Sequence, residues 1–224
     1  SVGRGGAFLS GAGSGGGCFW MLFEDWLRVF NHSFLSLPMD ENQGWVSRNL
    51  IGSWTPETCG GTPIAVKATP PPGTPETWAK NPQCRLVFPP SAEDATASGE
   101  DARVEICLVL EQEDARMERG SPFPYQDRLV EIFLCILQAD PSEQKLTQFN
   151  KKRVVKGGVS LMSKRREVFL RTNLTTPGTY LIVPSTWEVA LPNGKRKVPF
   201  RLSLHVKCAS SRFRIEAPSE EGWE

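Results

Sequence analysis

Hydrophobic positions along this chain follow two periods, and the changeover falls near residue 34. Upstream, Phe19, Phe23, Trp26, Leu27 and Phe30 recur at helical intervals in FWMLFEDWLRVFN, leaving Glu24, Asp25 and Arg28 largely on the opposite side. The spacing predicts one amphipathic helix over 19–31, with a broad aromatic face that must pack on something. Downstream the period becomes two. FLSLP, NLIGSWT, CRLVFP, RVEICLVLEQ, LVEIFLCILQ, REVFLRTNL, GTYLIVPST and PFRLSLHVK read as strands, with FRIEA as a candidate last one. Between them TPPPGTPET, PPSAEDATASGED and LPNGKRK are loop-forming by their Pro, Gly, Ser and Asp content. Asn193-Gly194 fits a hairpin turn, and its charged flank fits a longer loop equally well.

Many short strands with almost no helix after the first predict an all-β protein, an antiparallel sandwich of about eight strands preceded by that helix. Within REVFLRTNLTTPGTYLIVPSTWEV the alternation sets Val168, Leu170 and Thr172 on one side and repeats at Thr179, Leu181 and Val183 beyond Pro177-Gly178, predicting two strands and a hairpin-like turn. The first eighteen residues are rich in Gly and Ser. Gly11, Gly13 and Gly16 satisfy a dinucleotide fingerprint in form, but no βαβ unit surrounds them, so the segment reads as a flexible leader. The resulting division is a leader over 1–17, a helix and connector over 18–40, a sandwich over 41–212 and a tail over 213–224.

Charge adds little as a sum and more as a distribution. With 26 Lys+Arg against 25 Asp+Glu the net charge is +1, which gives no whole-chain pull toward nucleic acid or membrane. Three basic groups stand out: Lys151, Lys152, Arg153 with Lys156; Lys164, Arg165, Arg166; and Lys195, Arg196, Lys197. If they converge they form a patch for anionic lipid or for an intramolecular contact; scattered, they only keep an all-β protein soluble. Nucleic acid is not an expected partner, because the aromatics fall in core-like strands rather than among the basic residues. No run approaches the ~18 apolar residues of a membrane span. The sequons at Asn31 and Asn173 stand without a secretory leader, so a cytoplasmic protein, peripheral at membranes, is expected.

Cysteine and histidine set the limits on catalysis. Cys18, Cys59, Cys84, Cys107, Cys135 and Cys208 show no paired spacing, and Cys107 and Cys135 lie inside apolar runs, as buried free thiols do. His205 sits in a strand pattern and His32 ends the aromatic helix. Nothing marks a nucleophile, a base or a transition-metal ligand set, so no catalytic residues are expected. For calcium, Glu93, Asp94, Glu100, Asp101 and Glu105 supply hard oxygens within one inter-strand loop; simple solvation explains the same residues. Any calcium site there would be weak, and no organic cofactor is expected.

The order GSWTPETCGGT, ETWAKNPQCRL, EVFLRTNLTTPGTYLIVPSTWEV and FRLSLHV resembles the C2-like β-sandwich of calpains, the calcium-dependent cysteine proteases. Trp54, Gly60, Gly61, Trp78, Asn81, Pro82 and Gln83 match the first part. Arg171, Leu174, Pro177, Gly178, Tyr180, Ile182, Val183, Pro184, Ser185, Thr186, Trp187 and Glu188 match the last, with one extra Thr in the turn. GGCFWMLFEDWLRVF is similar to the segment with which the calpain protease core ends. The resemblance, over about 45–208, implies a regulatory domain preceded by a remnant of that core, with the core as partner in cis. It also implies an acidic loop that responds to calcium and makes switch contacts with the core. The family's catalytic Cys, His and Asn lie in motifs upstream of FWM that this chain does not contain. A stand-alone membrane- or protein-binding adaptor is the alternative. Trp54, Trp78 and Trp187 read as core aromatics, Pro82 and Pro184 as strand-end or edge residues, and Gly60, Gly61 and Gly178 as turn positions.

Overall fold

The computed structural model describes residues 21–30, 38–64, 70–90, 103–113, 129–191 and 194–217. The leader, the FLSLP strand, His32, Cys18 and the four loop acids Glu93, Asp94, Glu100 and Asp101 lie outside them. Two compact units divide the chain, Ser1–Pro38 and Met39–Glu224.

In the first unit a helix, α1 (Phe23–Val29), occupies part of the predicted span. Phe30 turns extended (φ −103°, ψ 119°) and ends it. Phe23 stacks on Trp26 at 5.9 Å between ring centroids, Trp26 meets Phe30 at 6.1 Å, and Arg28 lies 3.5 Å from Asp25. The aromatic stripe and the polar side follow the predicted spacing, and no side chain of α1 is buried.

The second unit is an antiparallel β-sandwich. Its described residues form nine strands: β1 (Trp45–Trp54), β2 (Cys84–Phe88), β3 (Arg103–Gln112), β4 (Ile132–Ala139), β5 (Val154–Val159), β6 (Glu167–Thr175), β7 (Gly178–Thr186), β8 (Val198–Lys207) and β9 (Arg214–Glu216). One sheet runs β1-β8-β3-β6 and the other β5-β4-β7-β2-β9. Between them Trp54, Leu86, Ile106, Leu108, Leu110, Ile132, Leu134, Ile136, Ile182, Leu202 and Leu204 close the main core. Each such side chain contributes roughly 1.5–3 kcal/mol on leaving water.

One strand departs from the expected set, and the candidate FRIEA forms another, β9. β5 is missing from the sequence reading because VVKGGV does not alternate: Gly157 has φ +71°, and the pairing with β4 shifts register between Cys135 and Leu137. β9 extends the sandwich past residue 212. It pairs with β2, and the Arg85 guanidinium grips the Glu216 carboxylate and the Pro141 carbonyl.

The predicted hairpin over 167–186 is not one. β6 pairs with β3 in the first sheet and β7 pairs with β2 and β4 in the second, so the Thr176–Pro177 turn carries the chain across the sandwich. Tyr180 Oη donates to the Thr175 carbonyl at 2.6 Å and fixes this corner. Gly178 is required by close approach rather than by its dihedrals, since a Cβ there would lie 2.9 Å from the Thr175 oxygen and 2.9 Å from the Tyr180 ring. Likewise β7 and β8 belong to opposite sheets, so they are not the two arms of a hairpin, and Gly194 between them has φ +65°.

β7 is buried on both faces. Tyr180 and Ile182 face the main core, whereas Leu181 and Val183 enter a second cluster with Trp78, Phe133, Cys135, Leu137 and Leu146. That cluster is roofed by a one-turn helix, α2 (Pro75–Trp78), in a segment whose composition reads as loop. Thr74 accepts from Thr77 N at 3.2 Å while Thr77 Oγ1 accepts from Thr74 N at 2.8 Å, so two orphan donors are satisfied reciprocally.

Candidate functional surfaces

The tryptophan, glycine and amide motifs are structural. Trp78 is fully buried, and Asn81 and Gln83 hang from the same segment as internal staples. Asn81 Oδ1 accepts from Gly60 N (3.2 Å) and its Nδ2 donates to the carbonyls of Gly61 and Trp78 (2.9 Å each). Gln83 Nε2 donates to Leu146 O and its Oε1 accepts from Leu146 N, both at 2.9 Å. Gly60 lies so close that an added Cβ would be 2.2 Å from Thr77 O, and Gly61 needs φ +67°. Trp54 Nε1 donates to Pro184 O at 3.2 Å. Pro184 is tolerated within β7 because β2 pairs only as far as Ile182, leaving the side of the missing N–H without a strand partner. Trp187 is half-buried rather than a core residue.

No catalytic arrangement emerges among the described residues. Cys107 and His205 are cross-strand partners on β3 and β8, the one Cys–His juxtaposition by register among the described residues. Burial pushes the Cys107 thiol up to about 11, against the pull of Arg171, and lowers the His205 imidazole. Both shifts hold the pair neutral, the opposite of what an activated thiolate and its imidazolium require. His205 Nδ1 instead hydrogen-bonds Ser47 Oγ at 2.7 Å. Burial also drives Cys84 and Cys135 to about 12, and the five described cysteines are free.

The basic groups separate into two places. β3 and β6 run antiparallel from Arg103 opposite Thr175 to Glu111 opposite Glu167, and β8 begins beside Trp54 and Gln112. Lys164, Arg165 and Arg166 precede β6, and Lys195, Arg196 and Lys197 precede β8, so these two groups share one end of the sandwich. Arg166 lies 3.6 Å from Glu111, which also accepts from Arg201 Nε at 2.7 Å, and the Arg165 carbonyl accepts from Gln112 Nε2 at 2.7 Å. Leu161, in the same β5–β6 connection, is 87% exposed.

The remaining group lies in a groove of ≈ 770 Å³ where β5 meets β6. Lys152, Arg153 and Lys156 line it together with Arg103 and Arg171, which sit singly in strands and stand in none of the three basic groups. Lys151 is exposed beside it, outside the lining. Arg153 is held by Glu143 at 2.6 Å and Asp140 at 3.1 Å, a contact that keeps the Glu143 carboxyl below its usual range. Arg171 Nε donates to Glu105 at 2.7 Å. Glu105 therefore belongs to β3 and an ion pair, not to the acidic loop.

Among the described residues no group of three or more His, Cys, Asp or Glu is placed to hold a metal ion, and no helix is long and apolar enough to cross a membrane. Residues 50–194 match the family model described as calpain large subunit, domain III. No curated protein matches the chain significantly.

Proposed function

The chain belongs to the calpain large subunit, domain III family, and from that premise we propose that it serves a calpain-type cysteine protease as a regulatory module without catalysis of its own. Its partners are the protease core in cis and, in the cytoplasm, the anionic phospholipid of a membrane surface. The observation that carries the lipid reading is the end of the sandwich where exposed Leu161 is flanked by Lys164, Arg165 and Arg166 and shares its side with Lys195, Arg196 and Lys197. An apolar tip ringed by cations suits the bilayer boundary, where the side chain enters the headgroup region and each Lys or Arg adds ~1 kcal/mol near an anionic leaflet.

Calcium enters through Glu93, Asp94, Glu100 and Asp101 in the connection between β2 and β3. At low calcium these acids contact basic residues of this domain or of the core. Calcium or anionic lipid weakens those contacts and lets the core close into its active geometry. The test is to join this chain to a calpain-type core and titrate peptide hydrolysis with calcium, with and without phosphatidylserine vesicles. The reading expects the calcium midpoint to fall when vesicles are present. It also expects the variant Glu93→Gln/Asp94→Gln/Glu100→Gln/Asp101→Gln to shift that midpoint. Identical titrations in all arms would remove the regulatory role.

A further inference from the structure

The groove between β5 and β6 is not explained by the lipid reading, because it lies away from the end bearing Leu161, and its cations do not ring an apolar tip. Two independent features mark it. The first is charge. Of the five cations along it, Arg153 and Arg171 are engaged by Asp140, Glu143 and Glu105, whereas Arg103, Lys152 and Lys156 have no carboxylate partner among the described residues.

The second feature is backbone. β6 is the edge of one sheet and β5 the edge of the other, and among the described residues the two form no ladder with each other. Thr172 Oγ1 donates to the Lys156 carbonyl between them, at 2.8 Å. Two strand edges thus line one recess; the Lys156 and Thr175 carbonyls are already engaged by Thr172 Oγ1 and Tyr180 Oη, and the other outward backbone groups of these edges are of the kind an added strand can pair with.

We propose that this groove binds an extended acidic segment of a protein partner. A phosphate-bearing headgroup would use the cations only, whereas a peptide satisfies both features. In an extended segment alternate side chains lie ~6.6 Å apart on one face. Carboxylates at alternate positions would meet Arg103, Lys152 and Lys156, and small side chains between them would rest over Val155 and the Tyr180 ring, which line the same recess. The backbone of the segment pairs along 171–175 of β6 or 154–157 of β5.

The experiment uses the full chain and a short fluorescein-labelled peptide alternating Glu and Thr, with its Gln/Thr counterpart as control, in about 0.1 M salt. The acidic peptide is expected to bind and the neutral one not. Binding should weaken roughly tenfold or more in Arg103→Gln/Lys152→Gln/Lys156→Gln, three exposed ion pairs being removed together. Hydrogen exchange supplies the second readout: amides of 154–157 or 171–175 slow on peptide addition. An unchanged melting temperature shows that the triple variant folds. The proposal is overturned if the peptide does not bind, if the triple variant binds it equally well, or if exchange along both strands is unchanged. It is also overturned if inositol hexakisphosphate or phosphatidylserine vesicles bind through these three residues and the peptide does not, which would make the groove a phosphate site. Failure of the lipid reading is seen separately, in vesicle binding by Lys164→Gln/Arg165→Gln/Arg166→Gln.

Discussion

Asn81 is, with Gln83, one of two buried amides that tie the outer layer of the second sheet together. Asn81→Ala removes three hydrogen bonds, one of 3.2 Å from Gly60 N and two of 2.9 Å to Gly61 O and Trp78 O, all at a fully buried position. At about 1 kcal/mol per bond the loss is ~3 kcal/mol, and more if the stranded backbone groups find no water. In a chain of this size each kcal/mol moves the melting temperature by about 2–4 °C, so a fall of about 6–12 °C is expected. Urea unfolding followed by the fluorescence of the seven tryptophans gives the free energy, and Asn49→Ala, at an exposed strand position, is the control. A loss below about 1 kcal/mol for Asn81→Ala would refute the claim that this motif is an internal staple.

Two further outcomes follow from the packing and from the ionisable groups. Cys84 and Cys135, with thiols pushed up to about 12 by burial, should resist a thiol reagent at pH 8 until the sandwich unfolds, while half-buried Cys208 reacts first of the five described; labelling with mass detection checks the order. Burial raises the Glu216 carboxyl, but the hydrogen bonds from Arg85 and Arg214 outweigh it and leave the group below its usual range. A folded pKa below the unfolded one gives stability that is present above the unfolded value of about 4.3 and lost as pH falls through the folded one. Glu216→Gln should therefore destabilise the protein at pH 7, with the difference from wild type vanishing in acid; equal differences at both pH values would exclude this linkage.

Strands whose side chains alternate were readable from sequence, and β3 and β8 occupy the stretches that the pattern marks. β5 was not, because Lys156, Gly157 and Gly158 erase alternation and a bulge replaces regular pairing. Nor does periodicity reveal which sheet a strand joins. The pattern of 166–189 is the same for a hairpin and for a crossover, and the close approach at Gly178 and the Tyr180 bond are facts of three dimensions. β7 alternates only weakly for a related reason: the segments bearing Trp78 and Leu146 fold back to bury its outer face, a long-range event that sequence spacing does not encode. The cationic surfaces were legible as runs at Lys151–Arg153, Lys164–Arg166 and Lys195–Lys197. Arg103 and Arg171 stand alone in apolar strands, and only strand register brings them to the groove.

The end of the sandwich proposed to meet lipid carries the central claim, and vesicle flotation at two ionic strengths addresses it most directly. The account predicts binding to phosphatidylserine vesicles at about 0.1 M salt and loss of most of it at about 0.5 M, since screening shortens the reach of surface charge. It further predicts that Lys164→Gln/Arg165→Gln/Arg166→Gln weakens binding by ~3 kcal/mol, about a hundredfold, and that Leu161→Glu weakens it as well. Binding that ignores salt and these substitutions, or none at all, would contradict the account.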